Sequence, residues 1–309
     1  MHARAKLLQP TILSFWLPLA PQISVCHWHF VRFAIDLPNF GEYSDPHLLA
    51  QLAHEAEDAG WDGCFIWDHI QVQRSAPVAD PWVALAAMAL VTRRIRIGPL
   101  VTPLFRRHPW KVARETVTLD HLSGGRLALG VGLGSDLFGE ISAFDGPLAD
   151  SLRAEMLDES LAIVTGLWSG ESFSFSGKHF RVNNARFLPT PLQSPRIPIW
   201  IAGTWPKKPP FRRAARYDGV VAVRGDIESA LSPAQVSDLV AYVRRFRSAD
   251  LVFDVLQFGE TPGQSKAEDR EIVAPYAAAG STWWIESMFP RYLKIEEARL
   301  RIRRGPTGL

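Results

Sequence analysis

The sequence predicts one (β/α)8 TIM barrel of the α/β class, with an insertion after the fourth strand. About eight strand-helix units follow one another from Val31 onward without a break in composition, and eight units close such a barrel. A doubly wound open sheet is the alternative, but its first strand usually leads into a phosphate-binding loop. Here that strand leads into Pro38-Asn39-Phe40-Gly41, which favours the barrel.

The second unit shows the pattern most clearly. Apolar side chains recur at helical spacing over residues 46–60, and Gly60 ends that helix. The run Cys64-Phe65-Ile66-Trp67 then predicts a strand that is buried on both faces, and it stops at the polar pair Asp68-His69. Helix, tight turn, buried strand and polar tip are typical of a β/α unit.

The other elements follow in the same alternation. Strands are predicted at residues 31–37, 63–67, 95–101, 126–132, 197–202, 219–223, 253–258 and 282–285. Helices are predicted at residues 46–60, 81–92, 110–122, 152–167, 211–216, 233–246 and 266–279. The insertion begins near residue 134 and contains a hairpin over residues 173–182 that turns at Ser176-Gly177.

Composition and charge limit the class of protein. The 309 residues are 47% hydrophobic, which allows one large core, and 34 basic against 32 acidic side chains leave a net charge of +2. So weak a field does not attract nucleic acid or a membrane surface, and neither partner is expected. Two cysteines cannot build a disulfide framework, so a cytoplasmic location is expected.

The first thirty residues differ from the rest. No Asp, Glu, Lys or Arg occurs from Leu7 to Phe30, after a basic start, as in a signal peptide. However, three prolines interrupt the apolar run, and no clean small-residue cleavage site precedes Val31. We therefore interpret residues 1–30 as a non-native or disordered extension and residues 31–309 as the barrel domain.

The loops that follow the strands form the active face of a barrel, whereas loops that lead into strands contribute to stability. Ser123-Gly124-Gly125-Arg126 leads into a strand, so its glycines are interpreted as a helix stop. Polar residues at the carboxyl ends of predicted strands should converge on one pocket: Asn39, Asp68, His69, Thr102, Ser135, Thr204, Glu260 and Glu286. Five tryptophans either wall this pocket for a flat or apolar small-molecule substrate or fill the barrel: Trp67, Trp200, Trp205, Trp283 and Trp284.

His69 is the candidate catalytic residue. A histidine beside an aspartate is often only a structural pair, but its place at a strand end favours function. With the neighbouring carboxylate to set its tautomer, His69 could donate or accept a proton near neutral pH.

A second candidate site follows Gly203-Thr204. The chain runs from there through Lys207-Lys208 to Arg212-Arg213 at the start of the next helix, where free backbone N–H groups and the helix dipole favour an anion. A phosphate site and a solvated basic loop are both consistent with this spacing.

Three other motifs give weaker signals. Gly130, Gly132 and Gly134 end the fourth strand, but Ser135 stands where a dinucleotide fingerprint needs its third glycine. These glycines either let a ligand ring approach bare backbone or permit close packing. No metal site is predicted, because His54-Glu55 lacks a second histidine one turn later and His27-Trp28-His29 precedes the first strand.

Several short motifs occur in a fixed order along the barrel. They include Ala59-Gly60-Trp61-Asp62-Gly63, Trp67-Asp68-His69, Asp80-Pro81-Trp82, Leu119-Asp120-His121-Leu122-Ser123-Gly124-Gly125-Arg126 and Pro198-Ile199-Trp200-Ile201-Ala202-Gly203. In this order, the chain from residue 31 to about residue 306 resembles the bacterial luciferase-like monooxygenase superfamily. These are flavin- or deazaflavin-dependent oxidoreductases with the (β/α)8 fold.

The resemblance implies a cofactor ring across the carboxyl ends of the strands, with His69 near its reactive edge. It also implies a strained peptide about Pro99 to Val101 and a cofactor phosphate near Ala202-Gly203-Thr204. The implied cofactor-binding residues are Asp68, Pro99, Leu100, Val101, Thr102, Gly134, Ser135, Ala202, Gly203 and Thr204.

The chain departs from the family pattern at two places. Ser135-Asp136 stands where some deazaflavin-dependent dehydrogenases of this group have a glutamate, so that acid is not carried over. Asp36 replaces an apolar residue in the first strand, and it either meets the ligand or pairs with a strand neighbour.

The leading hypothesis from the resemblance is a monooxygenase that uses reduced FMN and O2 on a small apolar organic substrate. The alternatives are hydride transfer with coenzyme F420 and a flavin-binding protein without turnover. A metal-dependent hydrolase is the least favoured class. The resemblance further implies a homodimer and, for the FMN hypothesis, a separate flavin reductase.

Overall fold

Parallel strands form the centre of the molecule. The computed structural model of the chain describes residues 31–72, 76–144, 146, 148–224, 230–248, 251–289 and 294–307. The predicted extension over residues 1–30 lies outside the described residues. The strands are β1 (Arg32–Leu37), β2 (Gly63–Ile66), β3 (Arg96–Pro99), β4 (Thr102–Pro103), β5 (Leu129–Gly132), β6 (Phe173–Ser176), β7 (Arg181–Ala185), β8 (Ile199–Trp205), β9 (Gly219–Arg224), β10 (Asp254–Gly259) and β11 (Trp283–Ser287).

Nine of these strands pair in parallel in the order β3-β2-β1-β11-β10-β9-β8-β5-β4. Because β4 continues β3 along the chain, the two ends of this order share one position in the sheet. A bridge between Ile97 and Leu127 also joins β3 to the segment that leads into β5. The sheet therefore closes on itself, and the predicted (β/α)8 barrel is confirmed. The other two strands, β6 and β7, form the predicted antiparallel hairpin of the insertion.

Helices follow the barrel strands and cover the outside of the sheet. They are α1 (Pro46–Asp58), α2 (Pro81–Val91), α3 (Pro109–Ser123), α4 (Glu140–Phe144), α5 (Asp150–Trp168), α6 (Lys208–Ala214), α7 (Pro233–Arg244), α8 (Lys266–Ala278) and α9 (Ile295–Arg303). Capping residues set several helix ends. The side chains of Asp45 and Asp80 accept hydrogen bonds from backbone amides at the starts of α1 and α2, and Gly124, at φ 67°, ends α3. The sequence did not predict α4 or α9.

Two layers of apolar side chains hold the barrel together. The interior layer consists of Ala34, Phe65, Leu100, Ala128, Trp200, Val221, Leu256, Trp283 and Ile285. A larger cluster lies between the sheet and the helices. The interior layer forms a solid floor below the carboxyl ends of the strands, so a ligand enters from the mouth above it. No helix in the described part of the chain has the length and apolarity needed to cross a membrane.

Candidate active site

His69 lies in the barrel mouth just after β2 and contacts a carboxylate from the insertion. Its Nδ1 is 2.8 Å from Oε2 of Glu140, the first residue of α4. The side chain of His69 is 20% exposed and that of Glu140 only 4%. Glu140 Oε1 also accepts hydrogen bonds from the Ile70 amide at 2.6 Å and from Arg106 Nη1 at 3.1 Å.

These contacts set the proton arrangement of the pair. Burial by itself raises the pKa of Glu140, but the contacts with His69, Ile70 and Arg106 outweigh burial and hold that pKa below its usual value. An ionised carboxylate only accepts hydrogen bonds, so Nδ1 of His69 carries a proton. In neutral His69 the other nitrogen, Nε2, is then a proton acceptor, and no partner for it occurs among the described residues.

The surroundings of His69 hold its backbone and ring in place. The fully buried side chain of Asn39 donates to the His69 carbonyl at 2.7 Å and accepts from the His69 amide at 3.3 Å. Three rings lie against the imidazole, with centroid distances of 5.9 Å to Phe40, 5.6 Å to Trp67 and 5.0 Å to Phe138. His69 is thus a fixed group in an aromatic wall with one nitrogen available.

The sequence assigned the orienting carboxylate to Asp68, and the structure corrects this. The side chain of Asp68 is fully buried and accepts from Thr102 Oγ1 at 2.6 Å, from Arg106 Nη2 at 2.9 Å and from Arg107 Nη2 at 3.3 Å. Successive side chains at a strand end point to opposite sides, so Asp68 turns away from the mouth as His69 faces it. Asp68 and Thr102 therefore form a buried network beside the site and present no free polar atom to a ligand.

The ends of the third, fourth and fifth barrel strands lie close together at the mouth. The peptide between Leu100 and Val101 is cis, at the place the resemblance implied. A Cβ built on Gly132 would lie 3.0 Å from Val101 Cγ2 and 3.2 Å from Ala202 Cβ. A Cβ on Gly130 would lie 2.4 Å from the Pro99 carbonyl oxygen. Close packing within the barrel therefore explains Gly130 and Gly132.

The other predicted site residues occupy different depths. Half-buried residues at the mouth are Val101, Gly134, Ala202, Gly203 and Thr204, whereas Ser135 is exposed and its Oγ accepts from the Leu137 amide at 3.1 Å. Pro99 and Leu100 are buried beneath them. Glu286 does not reach the mouth: it is fully buried, accepts from Thr261 and lies 3.3 Å from Arg301 Nη2. The half-buried apolar side chains of Val101 and Ala202 pack on the interior layer at the mouth.

Most of the five tryptophans fill space. Trp200 and Trp283 are buried in the interior layer, and Trp284 and Trp205 are buried in the outer cluster. Trp67 alone of the five is half-buried at the mouth, beside His69. It is the one tryptophan of this set that walls the site.

Asp36 supports Trp67 from below. Its Oδ2 accepts from Trp67 Nε1 at 2.5 Å, while its Oδ1 is buried without a hydrogen-bond partner among the described residues. Burial raises the pKa of Asp36 well above its usual range, and the Trp67 hydrogen bond offsets this only in part. Asp36 pairs with a strand neighbour, as one sequence interpretation had it.

Replacing Asp36 with asparagine should stabilise the protein increasingly as pH rises. Because its pKa is raised, Asp36 is favoured in its neutral form in the folded state. Its contribution to the free energy of unfolding is fully present at pH values below the unfolded pKa of about 3.9, and it is lost as pH rises toward the folded pKa. Over that window the Asp36→Asn variant should gain about 1.4 kcal/mol per pH unit over the parent, because an amide does not ionise. Denaturant unfolding from pH 4 to pH 9 measures this difference, and parallel curves for the two proteins would contradict it.

The chain is similar to known proteins both in sequence and in fold. A family model described as luciferase-like monooxygenase matches residues 30–261. An F420-dependent glucose-6-phosphate dehydrogenase from Nakamurella multipartita is 31% identical over 246 residues, which cover 76% of this chain and 70% of that protein.

Two solved structures share the fold. An F420-dependent secondary alcohol dehydrogenase, solved with an F420-acetone adduct, superimposes with a TM-score of 0.71 at 16% identity, covering 89% of this chain and 96% of that one. A monooxygenase from Streptomyces bottropensis superimposes with a TM-score of 0.69 at 22% identity, covering 88% of this chain and 97% of that one. At these identities the likeness concerns the fold alone.

Proposed function

This chain belongs to the luciferase-like monooxygenase family, and from that premise we propose that it is a coenzyme F420-dependent oxidoreductase acting between an alcohol and a carbonyl compound. The curated relative that supports this choice is a dehydrogenase that uses F420. The FMN monooxygenase hypothesis is supported by solved structures below 25% identity, whose likeness to this chain concerns the fold alone. We therefore place F420 hydride transfer first, in reverse of the order suggested by the sequence.

The observation that carries the proposal is the Glu140–His69 pair in the barrel mouth. Alcohol oxidation needs a base for the hydroxyl proton within hydrogen-bond reach of the substrate. His69 Nε2 is a free acceptor at the mouth, and Glu140 fixes the tautomer that makes it one. Glu140 also stabilises the imidazolium that forms, because its carboxylate accepts the Nδ1 proton. The pair thus supplies proton chemistry even though Ser135 replaces the glutamate of related dehydrogenases.

The residues at the mouth fit the ring portion of a deazaflavin. Val101, Ala202 and the strand ends around them form an apolar ledge, and Trp67 walls one side near His69. When bound there, F420 supplies the hydride acceptor of the oxidation and the hydride donor of the reverse reaction. His69 takes the hydroxyl proton at Nε2 as hydride leaves the carbinol carbon, and it returns that proton in the reduction. The aromatic wall of Phe40, Trp67 and Phe138 limits water around that nitrogen.

The test is binding and turnover with both cofactors. The full chain is incubated separately with F420 and FMN, desalted, and the retained cofactor is identified by absorbance and mass. Protein loaded with F420 is then mixed with glucose 6-phosphate, 2-propanol and other alcohols, and loss of the oxidised deazaflavin absorbance is followed. We expect retained F420 and reduction by at least one alcohol. Retention of FMN alone, with substrate-dependent O2 consumption after reduction, would replace the proposal by the monooxygenase hypothesis.

A further inference from the structure

The helix expected beside the cofactor phosphate, α6, has two prolines in its first turn. In α6, Lys208 is the first helical residue, and Pro209 and Pro210 are the second and third. An anion at a helix start is held by the N–H groups of these first positions, and proline has none. The preceding amide, of Lys207, donates to the Thr204 carbonyl at 2.9 Å. Among residues 207–210, only the Lys208 amide is then left for an anion.

The glycine expected to expose backbone to the phosphate is also covered. A Cβ built on Gly203 would lie 2.6 Å from Pro210 Cβ and 2.8 Å from Pro210 Cγ. The ring of Pro210 therefore lies directly against the free face of Gly203. This contact explains why residue 203 is glycine without a ligand, and it removes open space from the predicted phosphate position.

Two of the four cations predicted for this site are committed elsewhere. Lys208 Nζ lies 3.6 Å from the ring centroid of Trp205 and 4.5 Å from that of Tyr242, so it is held by two aromatic faces. Arg213 forms two hydrogen bonds of 2.7 Å with the carboxylate of Asp158 on α5. Lys207 and Arg212 are exposed, where a cation adds little affinity for an anion.

We infer that Pro209 and Pro210 are specificity residues that make this chain indifferent to the phosphate of its cofactor, so that binding depends on the ring. The inference rests on the proposed function only for the identity of the ring. The ligand class is therefore a deazaflavin, with or without its phosphate-bearing side chain. This departs from the phosphate site that the family resemblance implied near Ala202-Gly203-Thr204.

The experiment compares two pairs of ligands: FMN and riboflavin differ only in the phosphate, whereas F420 and its precursor differ in the whole phosphate-bearing side chain. Dissociation constants are measured by fluorescence titration for F420 and its phosphate-free deazaflavin precursor, and for FMN and riboflavin. A hydrogen bond to a charged phosphate is worth about tenfold in affinity or more, so a working phosphate site should favour the phosphorylated ligand about 100-fold. We expect the dissociation constants of the two ligands in the pair that binds to agree within about threefold.

A gain of function provides the second test. The double change Pro209→Ala and Pro210→Ala supplies two amide donors and removes the ring atoms of Pro210 beyond Cβ from the face of Gly203. It should raise the preference for the phosphorylated ligand about tenfold or more. The matched control is Pro46→Ala, which replaces a proline at the start of α1 on the other side of the barrel and should leave the ratio unchanged.

The outcomes separate the two proposals. If the flavin pair binds and the deazaflavin pair does not, the proposed function fails, and the ratio of FMN to riboflavin still decides the inference. A preference of about 100-fold for the phosphorylated member in the unchanged chain would overturn the inference and leave the proposed function standing. Binding of none of the four ligands would overturn both.

Discussion

Replacing His69 with alanine should abolish turnover while the cofactor stays bound. The change removes the acceptor for the substrate proton, and loss of a positioned acid-base group costs about 100- to 10,000-fold in rate. In the proposed function the ring of the cofactor would lie against residues from other strand ends, such as Val101 and Ala202, so its dissociation constant should change little. Single-turnover reduction of F420 by an active alcohol, together with a binding titration, measures both effects. Unchanged turnover would remove His69 from the mechanism.

A second variant separates the role of Glu140 from simple packing. Glu140→Gln keeps an oxygen that can accept the Nδ1 proton of His69, but it removes the negative charge that favours the imidazolium. We expect a smaller loss of rate than in the alanine variant at position 69. The acidic limb of the pH-rate profile should also move to lower pH. A loss of rate with an unmoved profile would indicate that Glu140 acts only through structure.

The barrel itself could be predicted from sequence because its signals are local. Periodic apolar residues, capping aspartates and turn glycines lie within each strand-helix unit, so their number and order identify the fold. The five-residue helix α4 carries too little periodicity to be recognised, and α9 is highly charged along its length. Element ends shifted for similar reasons: α6 starts at Lys208 because prolines are tolerated in a first helical turn.

The site was harder to predict because its contacts are long-range. His69 and Glu140 are 71 residues apart in sequence, and no local signal joins them. Adjacency along the chain favours Asp68 as the partner, although side-chain alternation at a strand end already places neighbours on opposite sides. The same alternation turns Glu286 outward, toward the buried side chain of Arg301. The two-residue period of a strand is visible in the sequence, and at these strand ends it separates Asp68 from His69 and turns Glu286 away from the mouth.

Replacing Asp68 with asparagine should destabilise the fold strongly, because its carboxylate is the shared counter-ion of two guanidinium groups. Asp68 is fully buried, and Arg106 and Arg107 are 7% and 18% exposed. Removing one partner of a buried ion pair leaves an uncompensated charge, which costs about 3–5 kcal/mol of unfolding free energy. Equilibrium denaturation in urea measures this loss.

The matched control is an exposed aspartate in an ion pair. Asp58, 67% exposed beside His54, should tolerate the same change to asparagine with little effect, because water already screens the pair. The pair of variants also decides what Asp68 does in the site. If Asp68 contacts the cofactor, its replacement should weaken cofactor binding and leave the free energy of unfolding near that of the parent. If Asp68 only supports the barrel mouth, its replacement should first lower the free energy of unfolding. Glu140 should then also lose its fixed position, because Arg106 joins the two carboxylates. We expect the second pattern, in which Asp68 acts on catalysis through Arg106, Glu140 and His69.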